Sequence, residues 1–253
     1  MKPSPRLAIV DWGIGGMGVW KSLRAHGDVP VLYLSDTGTT PYGRLPRDEL
    51  AARLSLLFGF LVRHGAVGIV VACNAASTVL PDVPDAGVPV MGMIEAASEV
   101  VGPRFRGTLG VIGGIRTIRS GIYRRTLAAP GRRVVTRIAQ PLSAHVEAGT
   151  TDTPACARDL DRILRPLARV DALLLACTHY PAIAPRIAER LPGVRLLDPA
   201  DAVAARVRRE LVLPTREAAD LVLTTGNARA MHEAAKTAWG FEPGPCHHLG
   251  TPG

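Results

Sequence analysis

Two cysteines occupy similar places in this sequence. Cys73 ends the run IVVAC at 69–73, and Cys177 ends the run LLLAC at 173–177. Each follows an apolar, strand-like run, and the two lie 104 positions apart, which is about the size of a domain. If each run is a strand of an open α/β sheet, its carboxyl end is where such sheets place ligands. The pattern therefore indicates two similar halves that bring two thiols to opposite sides of one cleft.

Two thiols facing one cleft are suited to proton transfer. A solvated thiol has a pKa of about 8.5 and is a poor base at neutral pH. A dry cleft with hydrogen-bond partners can activate it. For either cysteine taken alone, the alternative is a small buried residue that only fills the core.

A glycine-rich loop offers a different chemistry. Residues 13–18 match the dinucleotide pattern G-x-G-x-x-G between a predicted strand and a predicted helix. Asp36, 18 residues beyond Gly18, stands near the usual place of a ribose-binding acid, so a nicotinamide-dependent oxidoreductase is one interpretation. Asp11 weakens it, because an unpaired carboxylate there would repel a pyrophosphate at the helix N-terminus. The loop could bind substrate, bind a dinucleotide, or only let the backbone pack closely.

The elements that must position these residues alternate between apolar strands and helices. Predicted strands cover 7–10, 31–34, 68–72, 89–93, 108–113, 134–139, 172–176, 194–198 and 221–225. Predicted helices include 46–64, 155–168, 181–191 and 200–211. Continuous apolar strands that alternate with helices favour an α/β fold with mostly parallel sheets.

The composition narrows the class of protein. Of 253 residues, 47% are hydrophobic and 21% are charged, and the formal net charge is +8; this length suits one large or two modest domains. An excess of basic residues can indicate nucleic-acid binding. Here, however, the 27 arginines and three lysines are scattered, and only the arginine pairs at 124–125, 132–133 and 208–209 stand out. No stretch combines clustered basic residues with aromatic residues, so we expect no nucleic-acid partner.

Cysteine usage and hydropathy bear on the compartment. The four cysteines form no CxxC pair. A strand-like run begins at residue 6, so we expect no signal peptide. The apolar runs are too short to span a bilayer. We expect a cytoplasmic protein with no membrane contact and free thiols. Cys156 lies in a helical pattern, and Cys246-His247-His248 is interpreted as a loose tail rather than a metal site; no other metal-ligand cluster is present in the sequence.

The chain resembles the glutamate racemase family from end to end. The motifs that carry the resemblance occur in the family's order: Asp11-Trp12-Gly13-Ile14-Gly15-Gly16, Asp36 with Pro41-Tyr42-Gly43, Ala72-Cys73-Asn74, Thr117-Ile118-Arg119-Ser120-Gly121-Ile122-Tyr123, Glu147 in HVEAG, Cys177-Thr178-His179-Tyr180-Pro181, and Thr224-Thr225-Gly226. The resemblance implies two similar, doubly wound α/β domains related by pseudo-two-fold symmetry, with the active site in the cleft between them. It places 1–96 and 205–253 in the first domain and 97–204 in the second. Members of the family tend to form homodimers.

The resemblance also implies an activity. Racemising an amino acid means removing the α-proton on one face and returning one on the other. Cys73 would deprotonate the D-isomer with the help of Asp11, and Cys177 the L-isomer with the help of His179. The α-proton is far less acidic than a thiol, so positioning, desolvation and hydrogen bonds to the developing carbanion must lower the barrier.

No cofactor is expected for this chemistry. A pyridoxal enzyme needs a lysine for its Schiff base. Lys2 is terminal, and Lys21 and Lys236 lie in settings typical of helix surfaces.

The partner implied by the resemblance is a small amino-acid substrate. The predicted substrate-binding residues are Trp12, Tyr42, Gly43, Asn74, Ala75, Thr117, Glu147 and Thr178. Asn74 and Thr178 directly follow the two cysteines and would hold the α-carboxylate. Tyr42 and Gly43 resemble the family's substrate loop, which acts largely through backbone groups.

Two residues depart from the family pattern inside this site. The family usually has Asp-Ser-Gly where this chain has Asp11-Trp12-Gly13, and Cys-Asn-Thr where it has Cys73-Asn74-Ala75. Each change removes a hydroxyl, and a lost hydrogen bond to a charged group costs about 1.5–3 kcal/mol. Trp12 could narrow the pocket, turn outward, or replace the contact with its indole N–H.

These observations lead to one principal hypothesis and its rivals. The principal hypothesis is a cofactor-independent glutamate racemase that supplies D-glutamate for peptidoglycan. The departures at Trp12 and Ala75 leave open a racemase or epimerase of another amino acid with the same two thiols. Two further hypotheses come from different classes of protein: a nicotinamide-dependent oxidoreductase and a non-catalytic binding protein.

Overall fold

The computed structural model describes residues 3–215 and 217–250, which form two separate parallel sheets. Their strands are β1 (Arg6–Asp11), β2 (Val31–Ser35), β3 (Ala66–Val71), β4 (Val90–Met91), β5 (Gly107–Gly113), β6 (Arg132–Ile138), β7 (Ala172–Ala176), β8 (Arg195–Leu197), β9 (Leu221–Thr224) and β10 (Cys246–His248). The first sheet has the order β10-β9-β2-β1-β3-β4, and the second has the order β6-β5-β7-β8. The predicted α/β class with parallel sheets is confirmed.

The two sheets repeat one topology. Strands β1 to β4 lie in the order β2-β1-β3-β4, and strands β5 to β8 lie in the matching order β6-β5-β7-β8. In each set the third strand, β3 or β7, leads into one of the two cysteines. The internal echo between the two cysteine runs therefore reflects equivalent places in two similar sheets.

Helices connect and cover the strands. They are α1 (Met17–Ala25), α2 (Arg47–Arg63), α3 (Asn74–Ser77), α4 (Met93–Val101), α5 (Ile115–Arg119), α6 (Ile122–Thr126), α7 (Gln140–Glu147), α8 (Pro154–Leu164), α9 (Ala184–Arg190), α10 (Ala200–Glu210) and α11 (Ala228–Trp239). Among the described residues, none of them is long and apolar enough to cross a membrane.

Three predicted elements are shorter by three or four residues than the sequence pattern suggested. The helix predicted over 155–168 ends at Leu164 and continues as a 3₁₀ turn over Arg165–Leu167, which contains Pro166. The helix predicted over 181–191 begins with a 3₁₀ turn at Tyr180–Ile183 before α9. Proline removes a backbone donor and disturbs the α-helical hydrogen bonds before it. The strand predicted over 89–93 is shortened because α4 begins at Met93.

Burial explains why the central strands read as continuous apolar runs. The residues of β2 and β7 are all buried, as expected of parallel strands covered on both faces. One apolar cluster includes Leu7 and Ile9 of the first sheet together with Leu173 and Leu175 of the second. The two sheets thus share part of their core, which fixes the strand ends relative to each other.

The C-terminal segment differs from its prediction. Residues 246–248 were expected to be a loose tail, but they form β10, which pairs in parallel with β9. Cys246 is half-buried, and its thiol lies 3.3 Å from the sulfur of Met231, so packing as well as strand pairing holds the segment. Among the described residues, no group of three or more His, Cys, Asp or Glu side chains is placed to hold a metal ion.

The chain after α10 returns to the first sheet, since β9 pairs with β2. The predicted domain boundaries fall inside helices: 96/97 lies within α4, and 204/205 lies within α10. The division into a discontinuous first domain and a continuous second one stays a prediction.

Candidate active site

One cavity of about 760 Å³ collects the predicted site residues, a volume within the usual range for small-molecule pockets. All twelve of them line it: Asp11, Trp12, Tyr42, Gly43, Cys73, Asn74, Ala75, Thr117, Glu147, Cys177, Thr178 and His179. The cavity therefore brings the two cysteines and their predicted partners together. The role of each residue stays a prediction.

The topology explains why residues so far apart in sequence meet. Asp11 is the last residue of β1, and Cys73 follows β3 in the same sheet. Cys177 follows β7 of the other sheet directly, and Thr117 lies in α5, after β5. The carboxyl ends of parallel strands lie along one edge of a sheet, and both sheets direct that edge toward the cavity.

Asp11 and Cys73 form a buried pair on one side. The Asp11 carboxylate accepts hydrogen bonds from the backbone N–H groups of Trp12 and Gly16, each at 2.7 Å. Burial raises the pKa of Asp11, although the charge of His179 opposes this rise. Burial, reinforced by the charge of Asp11, also raises the pKa of the Cys73 thiol well above its ordinary value. Cys73 therefore holds its proton at neutral pH.

Cys177 has a different partner on the other side. Nδ1 of His179 lies 3.8 Å from Sγ of Cys177, and Nε2 of His179 donates to Glu147 at 2.6 Å. Burial by itself lowers the pKa of His179, but the contacts with Cys177 and Glu147 outweigh it and raise this pKa well above its ordinary value. A protonated His179 therefore presents an N–H to the sulfur of Cys177.

The glycine loop packs against this machinery. Two of its N–H groups are engaged with carboxylates, since Gly16 donates to Asp11 at 2.7 Å and Ile14 donates to Glu147 at 3.2 Å. A Cβ at Gly13 would lie 2.4 Å from the Glu147 carboxylate, and one at Gly15 would lie 2.4 Å from the Thr178 hydroxyl. The glycines thus let side chains of the second sheet approach the first, which supports the close-packing interpretation over a pyrophosphate site.

Asp36 does not fit the role of a ribose-binding acid. It is fully buried and accepts hydrogen bonds from Tyr42 at 2.8 Å and from Thr225 at 2.9 Å. Arg53 forms a two-pronged ion pair with it, at 2.6 and 2.9 Å. Both carboxylate oxygens are therefore engaged, and Asp36 instead anchors the loop that carries Tyr42 and Gly43.

This network leads to a stability prediction. We expect Asp36→Asn to lower the free energy of unfolding by about 3 kcal/mol, because it leaves the largely buried Arg53 charge without its counter-charge. Urea denaturation measures the change, with the exposed Asp85→Asn as the matched control. An unfolding free energy equal to that of the control would contradict the anchoring role.

Asn74 carries an unpaired donor at the cavity. Its Oδ1 accepts a short hydrogen bond from the hydroxyl of Tyr123, while its buried Nδ2 has no hydrogen-bond partner among the described residues. A buried donor without a partner costs about 1–3 kcal/mol. The carboxylate of a bound ligand would supply the missing acceptor.

The three possibilities for Trp12 are narrowed by its contacts. Its indole N–H donates to the carbonyl of Thr39 at 3.1 Å, so it is not free to replace a lost hydroxyl contact with substrate. The side chain lines the cavity and packs against the apolar cluster around Leu50 and Phe58. Trp12 therefore forms a wall of the cavity and ties the loop before Tyr42 to the end of β1.

Sequence reasoning missed several lining residues. They are Pro41, Arg44, Gly114, Ile115, Ile138, Gln140, Pro141, Ser143, Ala144, Ala148, Arg162 and Ala176. Gly114 and Ile115 follow β5, and Gln140 begins α7 soon after β6, so the strand-end rule could have found them. Arg116, next to Ile115, donates to the Tyr42 carbonyl at 3.0 Å and thereby links the two halves beside the cavity.

Comparisons with known proteins agree with this geometry. The family model for Asp/Glu/hydantoin racemases matches residues 19–207 of the chain. A glutamate racemase of Thermus thermophilus is 36% identical over 236 residues, which cover 91% of this chain and 87% of that protein. This chain belongs to the Asp/Glu/hydantoin racemase family. Membership makes it an isomerase and confirms the resemblance seen in the motifs.

Further relatives of this racemase family member extend the likeness. A glutamate racemase of Synechococcus sp. (strain CC9605) is 34% identical over 216 residues, which cover 82% of this chain and 80% of that protein. The crystal structure of glutamate racemase from Thermus thermophilus in complex with β-chloro-D-alanine aligns with a TM-score of 0.84 and 31% identity, covering 99% of this chain and 98% of that one. The likeness thus covers the whole fold, including both sheets.

Proposed function

We propose that this chain interconverts L- and D-glutamate without a cofactor, using Cys73 and Cys177 as its two proton-transfer groups. One observation carries the proposal: two thiols from equivalent strand ends line a single cavity, and each has its own ionisable neighbour. Glutamate is the substrate named for the relatives described above.

The two thiols differ in a way that suits opposite roles. Cys73 beside Asp11 holds its proton, because burial and the nearby carboxylate raise its pKa. Cys177 faces the N–H of His179, which stabilises negative charge on sulfur. In this state Cys177 acts as the base toward L-glutamate, and Cys73 acts as the acid on the opposite face. The reverse reaction exchanges these roles.

The proton balance of one turnover assigns a task to the neighbouring groups. The Cys177 thiolate takes the α-proton, and its electron pair stays on the substrate carbon. Cys73 then gives its proton to the other face and becomes the thiolate. Before another turnover in the same direction, Cys73 must regain a proton and Cys177 must lose one. For this, His179 first releases its Nδ1 proton to solvent while its Nε2–H stays on Glu147, and then takes the Cys177 proton on Nδ1. Asp11 takes up a proton from solvent and hands it to Cys73.

Recognition of the amino acid rests on groups that favour anions. The free Nδ2 of Asn74 is a donor for the α-carboxylate, whereas the hydroxyl of Thr178, predicted for the same role, already donates to Asp11 at 3.2 Å. Arg44 also lines the cavity and supplies positive charge for a substrate that carries two carboxylates, whereas the charge of Arg162 is paired with Asp159 at 2.8 Å. Hydrogen bonds to the α-carboxylate withdraw charge and increase the acidity of the α-proton.

The proposal is tested by proton NMR of L- and D-glutamate with the purified protein in D₂O, without cofactor and with a reducing agent. The α-proton signal is expected to disappear from both isomers. A well-folded sample that exchanges neither isomer would overturn the glutamate assignment. The same experiment on aspartate and other amino acids would then identify a different substrate or an inactive protein.

The hydrogen bond from Trp12 to the carbonyl of Thr39 leads to a second prediction. We expect Trp12→Phe to raise KM about fivefold with little change in kcat, because losing a hydrogen bond of about 1 kcal/mol loosens the substrate loop but leaves the thiols in place. Steady-state kinetics with glutamate measure the split. The control is Thr126→Val, which loses a hydroxyl bond to the carbonyl of Ile122 outside the cavity. An unchanged KM would contradict the anchoring role of Trp12.

The cellular role is part of the same proposal. The family resemblance implies that the D-glutamate formed here enters peptidoglycan synthesis. Cells depleted of the protein are expected to require D-glutamate in the medium, and growth without it would contradict this role. The homodimer expected from the resemblance stays a prediction, which light scattering can measure.

A further inference from the structure

The positive charge of this chain is concentrated in one stretch. Residues 100–146 contain nine arginines and no aspartate, glutamate or lysine, whereas the remainder of the chain holds 21 basic and 22 acidic residues. A general preference for arginine would spread basic residues but would not remove every carboxylate from one stretch. The net charge of +8 therefore arises here, although the arginines by themselves are scattered.

In the fold, this stretch forms an open edge of the second sheet. β6 is the outermost strand. Within the described ranges its strand partner is β5 alone, and an isolated antiparallel bridge to Ala129 engages Arg132 at its start. The neighbouring α6 contributes Arg124, whose guanidinium donates to the hydroxyl of Thr136 on β6 at 2.8 Å. We call the arginines along this border the arginine edge: Arg106, Arg124, Arg132, Arg133 and Arg137.

The charge of the arginine edge is not cancelled by carboxylates. In the part of the chain that the structure describes, none of its five members forms an ion pair with a carboxylate. Arg132 donates to the carbonyl groups of Gly102, Phe105 and Leu127, which satisfies its N–H groups but leaves its charge. Burial and the nearby charge of Arg106 lower the pKa of Arg132, as expected where like charges meet.

The backbone of β6 offers a second feature for recognition. The strand is seven residues long, and Val134 and Val135, which point to opposite faces, are both only half-buried. An edge strand presents unpaired N–H and C=O groups and can accept an additional strand. Charged side chains usually protect such an edge from indiscriminate pairing, so the arginines select what can pair with it.

We propose that the arginine edge binds an extended acidic segment of another protein, which pairs with β6 as an additional strand. Acidic side chains on one face of the segment meet Arg133 and Arg137, and apolar side chains on its other face cover Val134. Charge complementarity brings the partner to this edge and excludes basic segments, while the main-chain hydrogen bonds fix its register.

Other occupants of this edge fit less well. In an antiparallel pairing of two copies centred on Val135, Arg133 would lie opposite Arg137 of the second copy, and directly opposed like charges destabilise a strand pair. Single-stranded nucleic acid is usually bound on exposed aromatic side chains. Phe105, the aromatic residue beside Arg132, is covered by the guanidinium groups of Arg132 and Arg195.

The test uses a short fluorescein-labelled peptide of alternating glutamate and valine and follows its fluorescence anisotropy with the full chain. We expect saturable binding that weakens about tenfold or more in Arg133→Glu plus Arg137→Glu. The matched control is Arg63→Glu plus Arg229→Glu, which makes the same charge change at exposed positions of the first half and should bind as the wild type does. Glutamate racemisation, expected to be unchanged in both variants, shows that they are folded.

A second peptide separates strand pairing from charge alone. Methylation of alternate backbone nitrogens removes hydrogen-bond donors and keeps every carboxylate, so it should abolish binding if the peptide pairs with β6. Equal binding of the methylated peptide, equal loss in the control variant, or no binding of the unmodified peptide would each overturn the proposal. Binding of single-stranded or duplex DNA in its place would identify a nucleic-acid surface and also overturn it.

Discussion

Replacing either cavity cysteine by serine is expected to lower kcat/KM for glutamate by about 10²- to 10⁴-fold, the range typical of a lost general acid or base. A serine hydroxyl is far less acidic than a thiol and can neither remove nor supply the α-proton efficiently. The two isomers have equal free energy, so kcat/KM must fall by the same factor in both directions. Polarimetry in each direction measures the loss.

Proton exchange distinguishes the two variants where racemisation does not. In Cys73→Ser the intact Cys177 can still remove the α-proton of L-glutamate and return a deuteron to the same face. We therefore expect α-proton exchange from L-glutamate to exceed that from D-glutamate, with the opposite preference in Cys177→Ser. The half-buried Cys246, which lies outside the cavity, supplies the control Cys246→Ser with unchanged activity. Equal residual exchange of both isomers in each variant would contradict the two-sided arrangement.

Glu147→Gln is expected to lower kcat/KM by about 10- to 100-fold. The substitution keeps the shape of the side chain but removes the charge that receives the N–H of His179 at 2.6 Å. A hydrogen bond to a charged group contributes about 1.5–3 kcal/mol, which corresponds to this range at about 1.4 kcal/mol per tenfold. Glu147 contacts His179 rather than Cys177, so we expect it to act by positioning His179 instead of binding substrate as predicted from the sequence.

The pH dependence identifies the cause of that loss. Burial lowers the pKa of His179, and its contacts with Cys177 and Glu147 raise it, so removing the Glu147 charge lets this pKa fall. The basic limb of the kcat/KM profile is therefore expected to move to lower pH in Glu147→Gln. The exposed Glu189→Gln is the control, with an unshifted profile. A uniform loss of activity at every pH would indicate a merely structural role.

The pH dependence of the free energy of unfolding should also reflect the raised pKa of His179. A histidine whose pKa is raised by folding stabilises the protein fully below its unfolded pKa of about 6.5, and this contribution is lost as the pH rises through the folded value. The difference in unfolding free energy between the wild type and Glu147→Gln is therefore expected to be larger in mildly acidic than in alkaline solution. Urea denaturation at the two pH values checks it.

Much of the fold could be predicted from the sequence because local patterns report local structure. Continuous apolar runs predicted the bounds of β1, β2 and β7 to within one residue at each end. Strands buried on both faces are mostly apolar, so the run and the strand nearly coincide. The paired Ala-Cys runs indicated equivalent strand ends, and all twelve predicted site residues line one cavity. The helix ends at 164 and 184 were missed because proline changes the local hydrogen bonding without breaking the apolar pattern.

The residue types alone were compatible with more than one role for some residues. Contacts between residues distant in sequence decided between those roles. Asp36 fits a ribose-binding acid by its spacing, yet Arg53, Tyr42 and Thr225 occupy its carboxylate. Trp12 could have replaced a lost substrate contact, yet its indole N–H is bonded to Thr39.

The chain by itself thus determined which elements form and which groups stand at their ends, because those follow from local periodicity. Only the tertiary structure decided which of those groups are already engaged, and it alone placed the stretch without carboxylates along an open strand. Hydrogen bonds between residues far apart in sequence leave no periodic signal, and the exposure of a strand edge depends on which strand lies beside it.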